Sequence, residues 1–128
     1  MYDIKAVREN FNTFRKLLSG TDAEKHFDEK YAFAYIECQK ELPDGGIFVS
    51  FQTGYNRDTV VSFVKDNTGI YVKTGYRRNY GGYNCSCDGE KITEIHNYGF
   101  GSKEIIRYNL NFRKLSSEQK QEYGCCCG

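Results

Sequence analysis

Apolar residues recur at helical spacing only near the start of the chain. Ile4, Val7, Phe11, Phe14 and Leu18 fall three or four apart, with Asp3 placed to cap and Gly20 placed to stop. This spacing predicts one amphipathic helix over residues 3–19, with Lys5, Arg8, Asn12 and Arg15 off the apolar stripe. Residues 21–30, TDAEKHFDEK, are charged and predict a loop or a short second helix.

From Tyr31 the period falls to two. YAFAYIECQKEL reads as a strand and PDGG (43–46) as a turn; IFVSFQTGY reads as a strand and NRD (56–58) as a turn. TVVSFVK and IYVKTGYR follow, separated by the turn DNTG (66–69), and then KITEIHNYG and SKEIIRYNLNFRKL. SSEQKQEY predicts one helical turn, and GCCCG a frayed end. Short connections favour antiparallel neighbours. The expected class is therefore α+β, with one long N-terminal helix packed on an antiparallel meander of about six strands. On the last strand, Ile106, Tyr108, Leu110 and Phe112 are expected to face the helix, and Ile105, Arg107, Asn109, Asn111 and Arg113 the other side.

A length of 128 residues fits one domain, here residues 1–123 followed by a flexible Cys-rich tail, 124–128. The net charge of +1 excludes a whole-molecule field for DNA or RNA polymers or an acidic membrane. No apolar run approaches a membrane span, and the first residues lack a signal-type apolar stretch. These features predict a cytoplasmic protein with reduced cysteines. Aromatics make up 16% of the chain, all Tyr and Phe, which suits strands and supplies flat binding surfaces.

The stretch VKTGYRRNYGGYNCSC (72–87) admits three readings. It can be a turn in which Gly81 and Gly82 supply positive φ. It can be a metal knuckle, but C-S-C has the wrong spacer for a structural zinc pair, so no metal or other cofactor is expected. Or it can cradle a ligand: Gly75 lets a phosphate approach the backbone, Tyr76 stacks, and Arg77 and Arg78 present planar forks. Arg57 in a second turn can share an anionic guest. The run HNYGFG (96–101), with the Arg and Asn face of the last strand, suggests a polar pocket closed by aromatics or by a second subunit. Cys38 is expected to be a small core residue. His96 is the candidate for a hydrolase or transferase, but no nucleophile stands at a motif spacing from it, and binding without catalysis is the expectation.

Taken together, PDGGIFVSF (43–51), the Arg57 turn, TGYR (74–77) and NLNFRKL (109–115) resemble the anti-Thoeris phage sponge proteins. The resemblance implies a non-catalytic anti-defence protein, in the host cytoplasm, that sequesters a cyclic ADP-ribose isomer and cyclic oligonucleotides as a homo-oligomer. It implies one ligand site from Phe14, Tyr83, Asn97, Phe100, Arg107 and Arg113, and a second from Arg57, Gly75, Tyr76 and Arg77. GCCCG stands where a further basic residue would close the first pocket. The competing expectation is a protein-binding inhibitor, such as a toxin-immunity protein, anchored by its tyrosine-rich turns.

Overall fold

The computed structural model describes residues 4–27, 35–53, 58–76, 82–99 and 101–121. Helix α1 spans Ile4–Leu17. Phe11, Phe14 and Leu18 from the predicted stripe are buried; the side chains of Ile4 and Val7 lie outside the described residues. The chain leaves α1 through Leu18, whose N–H still reaches the Phe14 carbonyl at 2.9 Å. The Thr21 hydroxyl then donates to the Leu18 carbonyl at 2.6 Å, and a 3-10 helix follows over Asp22–His26.

Among the described residues eight strands follow: β1 Tyr35–Glu41, β2 Ile47–Thr53, β3 Thr59–Asp66, β4 Gly69–Tyr76, β5 Tyr83–Cys87, β6 Ile92–Gly99, β7 Ser102–Tyr108 and β8 Lys114–Gln121. They form two four-stranded antiparallel sheets, ordered β1-β2-β3-β4 and β5-β6-β7-β8. This overturns the expected helix on a single meander of about six strands.

Two local misreadings account for the difference. Residues 83–87 form a strand of their own, with Tyr83, Cys85 and Cys87 turned inward, where the three readings of 72–87 as turn, metal knuckle or ligand cradle include no fifth strand. The expected last strand is broken at Asn109. Its side-chain oxygen accepts the N–H groups of Asn111 at 2.9 Å and Arg113 at 3.0 Å. Phe112 takes a positive φ of 61°, and the backbone closes a hairpin between Asn109 and Arg113. The chain returns as β8, so SSEQKQEY supplies most of a strand and not a helical turn.

The layers stack as helix, first sheet, second sheet. Phe11, Phe14, Leu18, Ala23 and Phe27 pack on Val49, Phe51, Val61 and Phe63 from one face of the first sheet. Phe14 stacks on Phe51 with ring centroids 4.6 Å apart. The opposite face gives Phe48, Val60 and Val64, which meet Tyr83, Cys85, Ile92 and Tyr108 of the second sheet. Tyr108 and Ile106 therefore face the first sheet and not the helix. β2 and β3 are covered on both sides, which is why IFVSF and TVVSFV read as continuous apolar runs. Each fully buried Phe or Val contributes about 1.5–3 kcal/mol of transfer free energy. No helix among the described residues is long and apolar enough to cross a membrane.

Candidate functional site

Alternation along β4 gives that strand two chemically distinct faces. Ile70, Val72, Thr74 and Tyr76 point toward the 3-10 helix. There they line an open hollow of about 490 Å³ together with Thr21, Asp22, Lys25 and His26. Ile70 and Val72 also pack against the helix-side core and make an apolar base. Tyr76 is 56% exposed, and its ring meets the His26 ring edge-on with centroids 6.0 Å apart. Burial, then the neighbouring Lys25, holds the His26 pKa below the ordinary imidazole value, so the ring is neutral near pH 7. The His26 carbonyl accepts from the Thr53 hydroxyl at 3.5 Å, which ties the 3-10 helix to the end of β2.

The other face of β4 turns Tyr71, Lys73 and Gly75 toward the second sheet. Opposite stands Glu94, 2% exposed, on an inward position of β6. Its Oε1 accepts from the Tyr108 hydroxyl at 2.8 Å and from Nε2 of His96 at 3.0 Å. Its Oε2 accepts from the Tyr83 hydroxyl and lies 3.6 Å from Nζ of Lys73. Burial raises the Glu94 pKa, but the bonds from Tyr83, His96 and Tyr108 and the charge of Lys73 outweigh it and leave the net value lowered. Burial and the bond to that carboxylate push both tyrosine hydroxyls up. Burial likewise raises the Cys85 thiol to about 12, partly offset by a hydrogen bond with Ser62.

Four strands thus contribute to one filled carboxylate: β4, β5, β6 and β7. Each of its oxygens has two partners, the condition under which a buried charge is tolerable. His96 and Lys73 are 27% and 31% exposed and form the wet side of the cluster. The His96 ring runs parallel to that of Tyr98, with centroids 6.1 Å apart.

The residues expected to bind a ligand are dispersed. Phe14 is buried in the helix-side core and Tyr83 in the core between the sheets, on opposite faces of the first sheet. Asn97 is exposed on β6, and its backbone exchanges two hydrogen bonds with Gly82. Arg107 lies on the outer face of the second sheet, its guanidinium 3.1 Å from Glu118. Arg113 is exposed beside the Asn109 turn. Gly75 packs against the Tyr83 ring. Of the seven that fall among the described residues, only Tyr76 lines the hollow. Arg57, Arg77 and Phe100 lie outside the described residues.

Sequence reasoning missed Lys25, His26, Lys73 and Glu94. Glu94 had a readable signal: it sits between Ile92 and His96 on the inward side of an alternating strand, where a carboxylate requires partners. Lys25 and His26 had none, since a charged connector is usually solvated. No protein-family model, no curated protein and no solved structure matches the chain.

Proposed function

We propose that this protein binds and holds a small planar molecule of nucleotide type in the hollow between the 3-10 helix and β4, without transforming it. The observation that carries this reading is the hollow itself. Its volume of about 490 Å³ falls in the usual range for small-molecule sites, and it combines an apolar base with a few polar groups. Tyr76 offers a ring face for a base, Ile70 and Val72 receive the apolar body, and Lys25 meets negative charge. Asp22, Thr21 and Thr74 suit sugar hydroxyls and base edges. Cyclic ADP-ribose isomers and cyclic dinucleotides are the class to try first, because Thr74 and Tyr76 of TGYR line this wall and that run carries the resemblance to the sponge proteins. Capture of such a signal in an infected cell is the corresponding biological role.

Isothermal titration against a panel of cyclic ADP-ribose isomers and cyclic dinucleotides tests the reading. A saturable signal with one panel member is expected, and the ligand recovered afterwards is intact by mass spectrometry. Tyr76→Ala weakens binding by about 1–3 kcal/mol, roughly fivefold to more than a hundredfold. A flat titration with every panel member overturns the proposal. So does tight binding that Tyr76→Ala and Lys25→Ala both leave unchanged.

A further inference from the structure

Three of the cysteines lie where the two sheets face each other. Cys85 is fully buried, and Cys38 and Cys87 are half-buried; all three are free thiols. Cys38 on β1 and Cys87 on β5 pack on the same core cluster from opposite sheets. Two proximities, one on either side, set these strands next to each other. Nδ2 of Asn84 donates to Oε1 of Glu37 at 3.3 Å. Beyond Cys87, a Cβ built on Gly89 would lie 3.6 Å from Cε of Lys40. Residues 37–40 therefore run alongside residues 84–89, and Cys38 and Cys87 fall inside that bracket, both turned to the inter-sheet space.

We propose that Cys38 and Cys87 form a modification site, closing to an inter-sheet disulfide when the protein meets a disulfide oxidant such as oxidised glutathione. One thiolate attacks a glutathione sulfur, giving a mixed disulfide and releasing one glutathione thiol. The second cysteine thiolate attacks the protein sulfur of that intermediate and expels the other glutathione. The two protein thiols lose two electrons and two protons, and the oxidant becomes two thiols. Cys85 stays out of the exchange: it is fully buried, and its thiol is raised to about 12 by that burial. It also shares one face of β5 with Cys87, two residues away, a separation at the limit of what a disulfide spans. Burial raises the Cys87 thiol as well, so the exchange accelerates as the pH rises.

The test incubates the full chain with oxidised glutathione, alkylates the remaining thiols under denaturing conditions and maps the peptides. The expected product is a linked peptide pair containing Cys38 and Cys87, lighter than the separate peptides by two hydrogen atoms, with Cys85 alkylated. The oxidised protein melts several degrees higher than the reduced one, and Cys38→Ser and Cys87→Ser each abolish that rise. Recovery of Cys38 or Cys87 as a stable glutathione adduct or an alkylated thiol overturns the proposal. A bridge from either of them to Cys85 or to a tail cysteine does the same. Because the map is made on the unaltered chain, the outcome stands even if a serine variant fails to fold.

Discussion

The ring of Tyr83 occupies the place where Gly75 would carry a side chain: a Cβ there would lie 2.3 Å from Cζ of the tyrosine. Since heavy atoms do not approach so closely, the absent methyl group lets the two sheets meet at this point. The same contact seats the Tyr83 hydroxyl on Glu94 and sets the backbone that presents Tyr76 on the reverse face of β4.

Gly75→Ala is therefore expected to lower stability by about 1–3 kcal/mol through overpacking. Denaturant unfolding of the variant checks this. The double variant Gly75→Ala/Tyr83→Ala separates steric conflict from backbone effects. Removing the ring relieves the clash, so the double variant loses less than the sum of the single losses.

Glu94→Gln retains the volume but removes the charge that fills the sites of four donors. Lys73 then lacks its counter-charge, and one donor faces an amide NH₂. A loss of about 2 kcal/mol is expected, with Tyr108→Phe costing about 1 kcal/mol. Equal unfolding midpoints for Glu94→Gln and the parent protein would show that the network contributes nothing.

Stability should follow a dome against pH. The folded Glu94 pKa is lowered, so the unfolded chain binds the proton more readily; its contribution is complete above about pH 5 and lost as the pH falls through the folded value. His26, also lowered, adds an earlier loss below about pH 6.5, where the unfolded imidazole protonates. Cys85 and Tyr83 are raised, so their contributions are complete below the unfolded values and fade above about pH 9 and pH 10 respectively. Melting temperature measured across pH in the parent and in Glu94→Gln checks the assignment: the acid limb flattens in the variant, while the alkaline limb, which burial causes first, becomes shallower but persists.

Asn109→Ala removes the acceptor for two backbone donors in the β7–β8 turn. A loss of about 1 kcal/mol is expected, with faster amide exchange concentrated in β8. Uniform acceleration over all eight strands would contradict a local role.

Arg107→Ala should change stability by less than about 0.5 kcal/mol, because its pair with Glu118 is exposed. A loss near 2 kcal/mol, read from denaturant midpoints, would mean that the pair carries structural weight its exposure does not suggest.

The stripe Phe11, Phe14, Leu18 and the unbroken runs in β2 and β3 were legible, because burial leaves a periodic mark on composition. In the second sheet, β6 and β7 were legible too, as KITEIHNYG and SKEIIRYNLNFRKL, but β5 and β8 were not. Tyr83, Cys85 and Cys87 alternate over only five residues beside glycines, and that local chemistry resembles a loop. Asn109 was read as one residue of an exposed strand face, although Asn so close to a second Asn also codes for a turn. Of the residues that line the hollow, Tyr76 is one that the sequence singles out, within TGYR. Lys25 and His26 reach it through the tertiary placement of the 3-10 helix against β4, which no local pattern encodes.

The double coverage of β2 and β3 also has a temporal side. The first sheet leaves the ribosome before residues 83–108 do, and until they emerge Phe48, Val60 and Val64 face water. Half-synthesised chains therefore present an adhesive plane, and the interval before the second sheet arrives is when this protein is most exposed to aggregation and to chaperone capture.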